Sequence, residues 1–319
     1  MKRNPRILLF LLLSMFLCLT TLNAQTVETY TLSILKGPSG MAAAWMVKNP
    51  PSTAQARVQF VLAGGADIVT AKLVSGEIHG AVLPLNVAVK LYNSGIPLRA
   101  LAVVGNGMVK FLSSDPGMNS LESVRGREIF VAGQKATPDY LFRYLTGKAG
   151  LRAGTDYIPR YNLAYPEMAA QLAAGRIEAA VMPEPFATQA MRLNPKLRQV
   201  VDLDELWRQA SGLDSYPMSL FVMTETILSS KTGIVEAIDK AYGESIEKTV
   251  REPSESGKLI ESLDLGMKAA VAEAAIPRSA YVYRRASELK HNIEAMLSLF
   301  LDFDPASVGG KLPDGKFYY

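Results

Sequence analysis

Along this chain, stretches in which polar and apolar residues alternate are followed by stretches in which apolar positions recur every three or four residues. Residues 29–35 alternate as a strand does, Lys36-Gly37-Pro38-Ser39-Gly40 interrupts the run, and 41–48 carries a helical period. The succession continues with a strand at 57–62, a helix at 66–75, a short wholly apolar strand at 80–83, a helix at 86–93 and a strand at 98–104. It starts again with a strand at 128–132, the loop Gly133-Gln134-Lys135-Ala136-Thr137, a helix at 138–146 opened by Pro138, a strand at 157–161, a helix at 167–174 and a strand at 179–182. Strands alternating with helices predict an α/β fold with largely parallel sheets covered on both faces.

One passage occurs twice. Leu73-Val74-Ser75-Gly76-Glu77-Ile78-His79-Gly80-Ala81-Val82-Leu83-Pro84 returns ninety-nine residues later as Leu172-Ala173-Ala174-Gly175-Arg176-Ile177-Glu178-Ala179-Ala180-Val181-Met182-Pro183. Each copy reads as a helix end, a glycine that stops it, a buried strand, and a proline just past the strand's carboxyl end. Two similar, doubly wound lobes are expected, one from 25–112 and 218–319, the other from 113–217. Residues 109–114 and 218–224 would carry the chain across and back as a two-segment hinge. The remaining helical stretches, 233–251, 254–263, 268–275 and 286–301, are expected on the first lobe. Open α/β sheets bind ligands beyond the carboxyl ends of their strands, so facing lobes would make a cleft lined by both copies.

Composition alters this picture at the N-terminus. Lys2, Arg3 and Arg6 precede an apolar run over 7–19, and Leu22-Asn23-Ala24 ends it, the pattern of a secretory leader over 1–24. The apolar run is short for a membrane span, and no later stretch approaches one. Cys18 is the chain's sole cysteine, preceded by Leu17 rather than by the small residue that lipid attachment needs. Cleavage after Ala24 would leave a periplasmic chain without cysteine, hence without disulfides or thiolate chemistry. The net charge of +4 falls to +1 without the leader's three basic residues, which provides no footprint for nucleic acid. His79 and His291, the only histidines, lie in different regions, so neither a histidine metal site nor a catalytic triad assembles readily. No metal, no cofactor and no catalytic residue is expected.

The candidate ligand contacts are the loops that enter the first helix of each lobe: Gly37, Ser39, Gly40 and Met41 in one, Gly133, Ala136 and Thr137 in the other. Helix starts gather unpaired N–H groups and partial positive charge, and the Ser39 and Thr137 hydroxyls add donors. Either loop alone is explained by helix capping; their matching places favour contact with a ligand. Asn86 and Glu184, just past the repeated strands, form a second pair, with Glu184 accepting from a ligand amine or complementing the helix that begins near Phe186. Tyr161, with Tyr165 and Tyr216, offers a ring on which a flat ligand stacks.

At these residues the chain resembles the solute-binding proteins of bacterial ABC importers, in the branch of nitrate, taurine, alkanesulfonate and thiamine-precursor binders. The matching segments include Leu35-Lys36-Gly37-Pro38-Ser39-Gly40-Met41, Leu83-Pro84-Leu85-Asn86-Val87-Ala88, Ala132-Gly133-Gln134-Lys135-Ala136-Thr137-Pro138, Met182-Pro183-Glu184-Pro185-Phe186, Ala275-Ile276-Pro277 and the tail over 309–319. The resemblance implies a type II periplasmic-binding-protein fold, a small-molecule ligand in the cleft, delivery to an ABC permease in the membrane, and a monomer. His79 departs from the aspartate expected after Ile78. An enzyme on the same fold, or a sensing module for a membrane receptor, are the competing functions, and fold alone does not separate them. A ligand satisfying both the helix starts and Glu184 would be a zwitterion or an aminopyrimidine.

Overall fold

The computed structural model describes residues 27–319. The leader expected over 1–24 and Cys18 lie outside the described residues. The chain opens with β1 (Glu28–Leu35), passes through a 3-10 turn (Met41–Ala43) and α1 (Ala44–Lys48), and adds β2 (Ala56–Ala63) parallel to β1 with Glu28 opposite Ala56. Then come α2 (Ala66–Val74), β3 (Gly80–Pro84) parallel to β1, α3 (Leu85–Asn93) and β4 (Leu98–Asn106).

Gly107 and Met108 carry the chain into a second sheet. It contains β5 (Val109–Ser113), β6 (Glu128–Val131), α4 (Thr137–Lys148), β7 (Ile158–Arg160), α5 (Tyr165–Ala173), β8 (Ala179–Pro183), α6 (Phe186–Leu193), the two-residue β9 (Arg198–Gln199) and α7 (Leu203–Ser211). The chain returns as β10 (Pro217–Thr224), which runs antiparallel between β3 and β4. It closes with α8 (Glu225–Leu228), α9 (Ile234–Arg251), α10 (Pro253–Ser262), α11 (Ala269–Ala275), β11 (Tyr281–Arg285) and α12 (Lys290–Phe303).

The sheet orders are β11-β4-β10-β3-β1-β2 and β7-β6-β8-β5-β9. Five strands correspond between them. In each lobe the repeated strand, β3 or β8, lies between a parallel neighbour and an antiparallel strand adjoining one of the crossings between lobes. All five residues of β8 and the first four of β3 are buried, as befits strands covered on both faces. The preceding helices end alike: Gly76 and Gly175 have φ of 76° and 69° and donate to Leu73 O and Leu172 O, a left-handed exit that favours glycine.

Several elements differ from those the pattern predicts. β5 sits wholly in the second sheet, so the outward crossing falls at 107–108 and residues 109–112 belong to the second lobe. The helix expected over 41–48 is split into a 3-10 turn and five helical residues. β11 forms within a region read as helical and connecting chain; Tyr281-Val282-Tyr283 has the aromatic and β-branched character of an edge strand. α7 was not anticipated, although Asp202 caps it by accepting from the N–H groups of Asp204 and Glu205 and Gly212 ends it at φ 73°. The last helix, expected on the first lobe, packs on α3 and also reaches the second lobe: Tyr140 of α4 meets Phe300 edge-on at 4.9 Å and stacks on Phe303 at 5.2 Å. One apolar core accordingly runs from Leu83 and Leu220 through Phe300 to Phe111 and Tyr140, while the outer face of each sheet has its own cluster.

Candidate functional site

The facing carboxyl ends of the two sheets enclose a cleft of about 560 Å³. A larger hollow of about 770 Å³ lies behind β11 and α9, but none of the repeated-loop residues line it, and the convergence of helix starts makes the smaller one the candidate site. Five helices begin at or beside the cleft wall: α2 after Gly65, α3 after Pro84, α4 after Ala136, α5 after Ala164 and α6 after Pro185. None has a side chain hydrogen-bonded as an N-cap. At α6 the Glu184 carboxylate already accepts from a first-turn N–H, that of Thr188; at the other four the first-turn N–H groups and partial positive charges favour an acceptor group in the cleft.

In the first lobe Gly37, at φ 93°, turns the chain out of β1, and the N–H groups of Gly40 and Met41 return to its carbonyl at 3.1 and 3.3 Å. A Cβ on Gly40 would lie 1.8 Å from Leu35 O, so only glycine fits. This turn holds Ser39 on the wall, its Oγ 2.9 Å from Ser219 Oγ on β10, while Tyr281 donates to Pro38 O at 2.9 Å. In the second lobe Gly133, at φ 70°, leaves room for the Tyr165 hydroxyl, which a Cβ there would approach to 2.8 Å. Ala136 and the almost fully buried Thr137 complete that wall.

Of the residues proposed from sequence, the cleft brings together Gly37, Ser39, Asn86, Ala136 and Thr137. Asn86 is half-buried on the cleft wall, and its Oδ1 is turned away from solvent without a hydrogen-bond partner. The others are placed elsewhere. Gly40 and Met41 point into the first lobe, Met41 within its outer core. Gly133 lies behind Tyr165 rather than on the wall. Tyr161 lines a separate surface hollow and donates to Asp139 at 2.7 Å; burial, followed by that bond, pushes its pKa well up.

Glu184 is the largest departure. Its side chain is fully buried and both oxygens are engaged, Oε2 by Thr188 N–H at 2.9 Å and Oε1 by Arg278 Nε at 2.8 Å. The repeat explains this: ninety-nine residues earlier stands Leu85, also fully buried, so the position points inward in both lobes. Extending the sequence repeat by one residue would have revealed it.

Contacts that sequence reasoning missed are mainly apolar. Phe186, Met108 and Met218 line the cleft, and Tyr165, mentioned only as a stacking ring, meets Phe186 edge-on at 5.4 Å. Burial pushes the Tyr165 pKa upward, leaving it a protonated donor at neutral pH. Among the described residues Lys36 is the one charged residue on the wall, and it is paired with Asp264. Among the described residues no group of three or more His, Cys, Asp or Glu could hold a metal ion, and no helix is long and apolar enough to cross a membrane.

The model of the NMT1-like family matches residues 47–247. Among solved structures, an ABC transporter from Parabacteroides distasonis is 29% identical, with 92% of this chain and 99% of that one covered and a TM-score of 0.79. The periplasmic aliphatic sulphonate binding protein SsuA from Escherichia coli is 14% identical over 91% of this chain and 93% of its own, with a TM-score of 0.69. The periplasmic nitrate-binding protein NrtA from Synechocystis is 14% identical over 87% and 82%, with a TM-score of 0.64. A sequence comparison with curated proteins found no match.

Proposed function

This chain belongs to the NMT1-like family, and on that premise we propose that it is the exported solute-binding component of an ABC importer, closing two lobes around a small polar organic molecule and presenting it to a membrane permease. The observation that carries this reading is the convergence of five helix starts, four of them with no side-chain acceptor bound as a cap, on one cleft between two corresponding lobes. The solved structures of similar shape, described as an ABC transporter and as sulphonate- and nitrate-binding proteins, support it.

The cleft's chemistry narrows the solute. With Glu184 held by Arg278 and Lys36 by Asp264, no unpaired charged side chain among the described residues lines the cleft, and a cationic group on the solute meets no counter-charge there. An acceptor group, neutral or anionic, suits the helix starts together with the Ser39 and Thr137 hydroxyls. The Asn86 side-chain amide lies on the wall as a polar contact for the solute, and an apolar body packs on Phe186, Met108 and Met218. The zwitterion suggested by the sequence loses its support, while a neutral heterocycle or an organic acid retains it. Closure removes the solute from water, and the permease reads the closed shape.

The test is the melting temperature of the purified protein, unfolded and refolded to free it of solute, against sulfonates, carboxylates, aminopyrimidines, amino acids and nitrate. A solute at about a hundred times its Kd adds roughly 2.7 kcal/mol, a shift of several degrees. A saturable shift for one class supports the reading, and mass spectrometry of that solute after incubation checks the alternative, since a changed mass would make the protein an enzyme. No shift for any class counts against a solute site of this chemistry.

A further inference from the structure

Residues 264–278 connect the lobes without being part of the hinge. The segment starts beside the first-lobe wall of the cleft, where Gly37 donates to Leu265 O at 2.8 Å and Gly266 lines the cavity. Met267 packs against the outer cores of both lobes, and α11 then lies on α6 of the second lobe. Ala275-Ile276-Pro277, a motif the cleft does not use, leads into the 3-10 turn Ile276–Arg278, with Ala275 and Ile276 buried and the Ser279 hydroxyl donating to Ala275 O at 2.7 Å. That turn aims Arg278 across the gap, with Nε on Glu184 at 2.8 Å and one terminal nitrogen 3.9 Å from Met191 Sδ.

The two partners are anchored differently. Glu184 is held in the second lobe by Thr188 N–H at the start of α6, so it stays with that lobe when the lobes part. Arg278 belongs to the first lobe and is 38% exposed, so it is readily rehydrated. With the lobes arranged as in this structure the fully buried carboxylate depends on Arg278 for its counter-charge, and an unpaired buried charge is strongly unfavourable. Removing Arg278 would therefore penalise the closed form specifically, because opening admits water to Glu184.

We propose that Arg278 and Glu184 form a latch between the lobes that sets the balance of open and closed forms before any solute arrives. Arg278 is then a positioning residue that tunes affinity without touching the cargo. The inference rests on the clamp function proposed above.

The test is the distance between nitroxide labels at Ile68→Cys on α2 and Glu167→Cys on α5, both exposed beside the cleft mouth, in the full chain carrying Cys18→Ser and no solute. The parent should give one short, narrow population. Arg278→Met should move at least tenfold more of the protein into a longer one, with the far-ultraviolet circular dichroism unchanged. Adding Glu184→Gln, which removes the stranded charge, should return most of the protein to the short distance. A distribution for Arg278→Met equal to the parent's overturns the latch, as does a double variant no less open than the single. Glu184→Gln alone should open the clamp in the same direction but less far, and a parental distribution there also counts against the latch. Since the labels report without solute, an unmoved distance removes the latch alone, whereas failure of every solute to bind removes the clamp's function alone.

Discussion

The turn after β3 and the turn after β8 have the same ancestry in the repeat and opposite uses. After β3, Leu85 fills the core and Asn86 stands on the cleft wall with an unpartnered oxygen. After β8, the residue in Leu85's place is Glu184, a carboxylate in a leucine's position, which is accommodated because Thr188 N–H and Arg278 satisfy it. The next wall residue on that side is the apolar Phe186. One turn thus places a polar amide on the cleft wall and the other supplies an ionic bond between lobes together with an apolar surface. Repetition in a chain fixes where a side chain starts, while its neighbours in space decide what it does.

Three substitutions sharpen that contrast. Glu184→Ala should have the largest effect on stability, about 2 kcal/mol by urea unfolding. This is less than the roughly 3–5 kcal/mol for breaking a fully buried pair, because Arg278 regains water. Equal stability of variant and parent would mean that the carboxylate contributes nothing to the fold. Asn86→Ala should give the reverse profile, with solute affinity about tenfold weaker, or 1.4 kcal/mol, and unfolding free energy within about 0.5 kcal/mol of the parent. Unchanged affinity in titration calorimetry would remove Asn86 from recognition. Tyr161→Phe should cost about 1 kcal/mol through the lost bond to Asp139 and leave affinity as it was. A loss of affinity would restore the ligand role that the sequence suggested for Tyr161.

Much of the scaffold was legible because it rests on local signals. Gly76 and Gly175 mark helix exits, apolar runs mark β3 and β8, and Pro138 marks a helix start, each a short-range consequence of backbone sterics and burial. Ser39, Asn86 and Thr137 followed from the rule that loops beyond strand ends face the cleft. What escaped depends on distant partners. Nothing near Glu184 in sequence announces Arg278, and nothing near Phe300 and Phe303 announces Tyr140. Tyr161 turned to Asp139 instead of the cleft, although its neighbour Tyr165 lines the cleft, because the short strand β7 and the start of α5 direct the two rings differently. Met41 is drawn inward by an apolar pocket under β1 that no periodicity reveals.

The insertion of β10 between β3 and β4 has a consequence for biogenesis. Leu98 finds its partner only in Thr224, and Phe221 faces Val82 on one side and Ala102 on the other. A chain emerging from its N-terminus therefore makes every strand of the second sheet before the first sheet can be completed. β1, β2 and β3 can pair among themselves at once, but β4 and the inner edge of β3 stay unpaired until β10 has been made, after the whole second sheet.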